Sequence, residues 1–265
     1  LYPAGNQARW LKSEYGVPFV VTEHWTGYHK EHQVKLNPYQ RYNIIKTAKE
    51  AEMICPVSKH LADAMKAWGI TSSVQVVANV VDTELFHRAE AQTIIKQTFL
   101  HVSSLVDDHK NISGMLRVIC RVTKVRDDVL FQIVGDGDIK PYQKMARDLG
   151  IPQAQLEIKG EQSLEQIAEL MRSCDVFLMF SRYENLPCVI LEAFSSGIPV
   201  ISSNVGGIHE HLTEDKGILV ESEDEEALES AIYLTLDSSK PDPEMLRDYA
   251  VKHFSIQHIA SQFTH

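Results

Sequence analysis

From Thr98 onward the chain alternates short apolar runs with stretches of helical periodicity, and that alternation constrains the fold more than any other feature. Phe99–Leu105, Val129–Gly135, Leu156–Gly160, Asp175–Phe180, Pro199–Ser203 and Gly217–Val220 read as strands. Between them, Asn111–Arg126 carries Ile112, Met115, Leu116, Ile119 and Val122 at helical spacing, and Asp138–Gly150 reads as a helix stopped by its glycine. Ser163–Cys174, Leu186–Gly197 and Glu223–Asp237 complete the helices, with Pro187 expected as the first helical residue of its segment. The strands are apolar throughout rather than alternating, as expected for burial on both faces. Strand–helix repetition with short connections predicts an α/β fold with a doubly wound parallel sheet. The first 80 residues use the same grammar in abbreviated form: Pro18–His24, Glu52–Ser58 and Val74–Asn79 offer three strands, against a usual five or six. The residues thus give two α/β units joined near Asn79–His87, the first of them incomplete.

Composition adds exclusions. The 265 residues are 44% hydrophobic and 23% charged, an ordinary globular balance. A net charge of −10 argues against nucleic acid as a partner, since phosphate neutralisation needs basic stripes. No apolar run approaches the roughly 18 residues of a membrane helix, and Leu1–Gly16 lacks the apolar core of a signal peptide. Cys55, Cys120, Cys174 and Cys188 lie far apart in apolar surroundings, so reduced thiols in a cytoplasmic protein are expected.

Ligands of open parallel sheets bind beyond the carboxyl ends of the strands. The loops there are Ser103–Lys110, Gly135–Asp138, Lys159–Glu161, Ser181–Pro187 and Ser202–Glu210. Ser181–Glu210 is the most informative. Glu184 lies in a loop after a strand, and Glu192 lies about six residues into the following helix, a rise of roughly 9 Å. A helix N-terminus between them presents unpaired amides to an anion. Val205–Gly207 adds a glycine loop that backbone can bring close to phosphate. Two acids marking the ends of an elongated, phosphate-bearing ligand fit a nucleotide sugar.

The pattern E-N-L-P-x-x-x-L-E-A-x-x-x-G-x-P-V-I-S-S-x-x-G-G-x-x-E over Glu184–Glu210 resembles the signature of retaining, family 4 (group 1) glycosyltransferases of the GT-B fold. Ala78–Phe86, Val134–Asp138, Leu156–Gly160, Phe19–Trp25 and Tyr249–Phe263 resemble further family segments in the right order. The resemblance implies a partial, N-terminally truncated acceptor-side Rossmann-like domain over 1–80, a nucleotide-sugar-binding Rossmann-like domain over 81–248, a C-terminal helix over 249–265 that crosses back to the first domain, and a fragment that transfers poorly. It implies catalytic roles for Glu184 at the transferred sugar and for His24 near the anomeric carbon. It implies donor binding by Lys110, Ser104, Asn185, Leu186, Glu192, Gly135, Gly160, Gly206 and Gly207. Ser104 stands where the family has a phosphate-binding arginine, and the usual glycine beside Asn185 is absent. The implied partners are a nucleoside-diphosphate-sugar donor and a glycan or glycolipid acceptor, with no metal or other cofactor. A role in polysaccharide biosynthesis, with peripheral contact at the inner face of the membrane, also follows from the resemblance.

Each residue has a plainer role beside this one. Glu184 and Glu192 singly read as surface carboxylates, Lys110 as a solvated residue ahead of a helix, and His24 as a hydrogen-bonded strand end. His29 with His32, and His209 with His211, invite a metal, but the spacings read as surface histidines. Gly135 and Gly137 lack the third glycine of a dinucleotide loop. Two alternatives to transfer stay open: a non-catalytic sugar-nucleotide-binding module, and a glycoside hydrolase using both carboxylates.

Overall fold

The computed structural model describes residues 1, 3–29, 35–88 and 96–263; His32 lies outside the described residues. The chain divides into two compact units. The first holds Leu1–Asn79 together with the tripeptide Glu184–Leu186, and the second holds Val80–Tyr183 and Pro187–His265.

In the first unit α1 (Ala4–Tyr15) precedes β1 (Val20–Glu23), and α2 (Pro38–Glu50) precedes β2 (Met53–Pro56) and α3 (Lys59–Ala67). Asn37 starts α2 with a capping box to Gln40, with Pro38 in the first turn, where a missing N–H costs little. β1 and β2 pair in parallel from Val20↔Met53 to Glu23↔Pro56. The third strand expected at Val74–Asn79 is only a bridge from Val74 to Ile54. Its amides at Gln75 and Val77 donate to the carbonyls of Ile54 and Pro56, so it runs beside β2 without a ladder of its own.

The second unit is a six-stranded, wholly parallel sheet. Its strands are β3 (Gln97–Val102), β4 (Val129–Val134), β5 (Leu156–Lys159), β6 (Val176–Met179), β7 (Val200–Ser203) and β8 (Gly217–Val220), in spatial order β5-β4-β3-β6-β7-β8. The chain moves outward from β3 to β5, then returns to β6 and runs the other way. The carboxyl ends of β3 and β6 therefore flank the switch point where such sheets bind ligands. The helices are α4 (Asp107–Lys110), α5 (Ile112–Thr123), α6 (Lys140–Asp148), α7 (Leu164–Ser173), α8 (Cys188–Ser195), α9 (Glu225–Asp237), α10 (Pro243–Phe254) and α11 (Ile256–Ser261). Phe99, Phe131, Ile133, Val176 and Leu178 pack into one core with α5 and α9. Their neighbours of opposite parity, Leu100, Phe177 and Met179, are also buried, which explains the unbroken apolar strands.

Several boundaries differ from the sequence reading for local reasons. Pro187 is the N-cap of α8, with ψ at 129°, rather than its first helical residue. Asn111 adopts φ 51° and separates a single turn, α4, from α5. The helix expected from Glu223 starts at Glu225, capped by Asp224. The segment expected as one helix over 249–265 is broken by Ser255, which ends α10 and caps α11. Cys188 is exposed, not a buried small hydrophobe, because it opens α8.

Candidate active site

In the second unit the loops beyond β3 are built on a buried histidine. His101 Nδ1 lies 2.8 Å from the Leu178 carbonyl, and Nε2 lies 2.7 Å from Ser103 Oγ. Burial pulls its pKa down to about 4, so the ring is neutral. Nδ1–H then donates to Leu178, leaving Nε2 to accept from Ser103. Ser104, next in the chain, accepts the Val106 amide on its carbonyl, 2.8 Å away. Lys110 ends the following turn, which Arg182 holds in place. The guanidinium donates to the Asp107 carbonyl at 2.6 Å and to Asn111 Oδ1 at 2.7 Å, and the Arg182 amide donates to the His109 carbonyl.

The glycines separate by cause. A Cβ at Gly135 would lie 1.8 Å from the Ser103 carbonyl oxygen, so close packing of two strand ends requires glycine there. Gly160 has nothing within 4 Å of its Cβ position, so packing asks for no glycine. Gly206 is in the left-handed region, at φ 59°. The Gly206 and Gly207 amides have no acceptor among the described residues, and neither does that of Val189 in the first turn of α8. Pro187 supplies α8 with no side-chain cap. Amides with partial positive charge thus follow both β6 and β7, neighbouring strands of the sheet. Glu192, on α8, is mostly buried and has no side-chain partner among the described residues. Burial pushes its carboxyl up to about 7.

In the first unit β1 ends in a tightly bonded loop. Glu23 is buried, and its Oε1 accepts the amides of His24 and Trp25 at 3.0 Å each. Its Oε2 accepts from Tyr28 Oη at 3.2 Å, and that phenol is held far above its ordinary pKa by burial and by Glu23. His24 itself is exposed. Glu184, only 9% exposed, is followed by Asn185 and Leu186, both buried. Asn185 Nδ2 donates to the His24 carbonyl at 2.6 Å, and Asn79 Nδ2 donates to the Leu186 carbonyl at 2.6 Å.

The structure corrects one reading directly: His29 is not a surface histidine. It is 8% exposed, stacks on His60 at 4.7 Å, and places Nε2 2.6 Å from Asn185 Oδ1. Among the described residues no group of three His, Cys, Asp or Glu converges as a metal site. His211 bonds instead to Tyr249 Oη at 2.9 Å. The sequence reading gave no role to Asn79, His101 or Arg182 and misread His29; Asn79 and Arg182 did lie inside the Ala78–Phe86 and Ser181–Glu210 segments it singled out.

Residues 84–253 match the family model described as glycosyl transferases group 1. The chain belongs to this family. Residues 1–85 match a second model, described as glycosyltransferase family 4. Among curated relatives of this group 1 chain, the Vi polysaccharide biosynthesis protein VipC/TviE of Salmonella typhi is 31% identical over 60% of the chain and 28% of its own length. MMP alpha-(1->4)-mannosyltransferase of Mycolicibacterium hassiacum is 28% identical over 80% of the chain and 52% of its own length. The chain thus spans about a quarter to a half of these relatives. Among solved structures, sucrose-phosphate synthase from Thermosynechococcus elongatus matches 98% of this chain and 69% of its own, with a TM-score of 0.85 and 18% identity. HepE of Anabaena in complex with UDP and glucose matches 98% and 74%, with a TM-score of 0.83 and 18% identity. The fold is α/β of the GT-B class.

Proposed function

We propose that the protein is a retaining glycosyltransferase that moves a sugar from a nucleoside-diphosphate-sugar donor to a glycan or lipid-linked acceptor. One observation carries the reading: Glu192, a mostly buried carboxyl without a partner, stands on the helix after β6, whose N-terminus has no side-chain cap. A carboxyl so desolvated is costly to ionise unless donors reach it. Ribose hydroxyls supply such donors. The amides of Val189, Gly206 and Gly207, which have no acceptor among the described residues, suit the diphosphate. Lys110 offsets charge on the departing phosphate, which takes the acceptor's proton as the new bond forms on the same face of the sugar.

In this reading Glu184 contacts the transferred sugar, with the Asn185 and Leu186 backbone beside it, and His24 acts near the anomeric carbon. Ser103 and Ser104 line the donor loop where relatives carry an arginine, and Gly135 and Gly160 line the neighbouring strand ends. The chemistry calls for no metal or other cofactor. No described helix is long and apolar enough to cross a membrane. A cytoplasmic location with contact at the inner membrane face belongs to the proposal and rests on the family resemblance.

Incubation with a panel of UDP- and GDP-sugars and simple glycan or glycolipid acceptors tests it. Formation of a glycoside that keeps the donor's anomeric configuration is the expected product. An inverted product would overturn retention. Sugar released from a nitrophenyl glycoside without nucleotide would point to a hydrolase instead.

A further inference from the structure

We infer that His29 and Asn79 are positioning residues that fix the backbone carrying Glu184, a role that rests on the reading of Glu184 as the sugar-contacting acid. The tripeptide Glu184–Leu186 belongs to the first unit and is fastened there by three short hydrogen bonds. Asn185 Nδ2 donates to the His24 carbonyl at 2.6 Å, His29 Nε2 meets Asn185 Oδ1 at 2.6 Å, and Asn79 Nδ2 donates to the Leu186 carbonyl at 2.6 Å.

The directions of these bonds follow from the inventory of donors. The Asn185 NH2 group is the only part of its amide that can donate to a carbonyl, so Oδ1 is what faces His29. His29 must therefore carry its proton on Nε2. Stacking on His60 at 4.7 Å and enclosure to 8% exposure hold that ring in place. One side-chain amide thus bonds to the backbone of His24 while its own backbone adjoins Glu184. The two residues proposed as catalytic are each one link from Asn185.

The His24 end is anchored as well. Glu23 Oε1 accepts the His24 amide, so His24 is held at both its N–H and its carbonyl. The Asn79 bond holds the Leu186 carbonyl, just before Pro187, which has no N–H to hold the chain itself. Losing the donor from His29 leaves the buried Asn185 oxygen without a partner and frees the segment to move.

The test compares wild type with His29→Phe, which keeps ring bulk over His60 but cannot donate, and His29→Gln, whose amide can. Deuterium exchange of the peptide spanning 183–190 is measured without nucleotide, alongside kcat, donor KM and UDP affinity. Phenylalanine is expected to speed exchange and to lower kcat about tenfold, equivalent to about 1.4 kcal/mol. Donor KM and UDP affinity stay unchanged, and glutamine restores both affected readouts to within about threefold. Asn79→Ala, which leaves the His29 pair intact, is expected to act in the same direction.

Exchange in His29→Phe equal to wild type, or no rescue by glutamine, would overturn the clamp. If wild type transfers no sugar, the reading of Glu184 fails on its own. Faster exchange with rescue by glutamine would then still establish the fastening.

Discussion

On the helix after β6 in the second unit, the carboxyl of Glu192 is mostly buried and has no partner among the described residues, whereas in the first unit both polar atoms of the Asn185 side chain are already bonded. The two arrangements have opposite energetic meanings. A bonded buried network stabilises one backbone geometry. A desolvated, unpartnered acid destabilises the ligand-free protein and is relieved when donors arrive. On the proposed reading, recognition falls to the second unit's strand ends and positioning to the first unit's loop.

The comparison can be pressed hardest where backbone meets backbone. Gly135→Ala would drive a methyl into the Ser103 carbonyl and is expected to cost several kcal/mol, enough to unfold the second unit in a thermal melt. Gly160→Ala, with open space around it, is expected to change stability by less than about 0.5 kcal/mol. A Gly135 variant as stable as the Gly160 one would show that the β3–β4 ends are not packed as described. Next in size, Glu184→Gln is expected to lower kcat about 100-fold with UDP affinity unchanged, measured by initial rates and titration. A parallel loss in both would place Glu184 in nucleotide binding and blur the division between the units.

Glu192 gives a smaller, pH-dependent effect. Its carboxyl titrates at about 7 in the folded chain against 4.5 as its ordinary value, so the folded state holds its proton more tightly than the unfolded one. Stability from this group is therefore present below about pH 4.5 and lost as pH rises towards 7. Wild type should lose ground to Glu192→Gln over that range by about 3 kcal/mol at most, read from denaturant midpoints at pH 5 and pH 8. A gap that does not widen with pH would mean that Glu192 is better solvated than its surroundings imply. His101 titrates in the opposite sense. It is neutral and held near 4, so stability is lost as pH falls from about 6.5 towards 4, a loss that His101→Gln should lessen.

Most of the second unit was legible because its strands are buried on both faces and its helices carry their periodicity plainly. Ile112, Met115, Leu116 and Ile119 sit in the core as their spacing predicts. The short first unit was harder to read, since Val74–Asn79 has strand composition but pairs only through a few amides. Of the candidate site, the Glu184–Glu192 pattern was legible because it is local in sequence. The His29–Asn185 bond joins residues 156 positions apart, and the Asn79–Leu186 bond joins residues 107 apart. No periodicity or spacing rule reports such contacts. His29 read as a surface residue because its partners His60 and Asn185 are distant from it in the sequence.

The most direct measurement is calorimetric titration of UDP and GDP into the wild-type chain and into Glu192→Ala at pH 8. The account predicts saturable binding of at least one nucleoside diphosphate to wild type, and about tenfold weaker binding to the variant, the loss of about 1.4 kcal/mol. No saturable binding of either nucleotide, or equal affinity in the two proteins, would contradict the claim that Glu192 and the bare amides after β6 and β7 form the donor site.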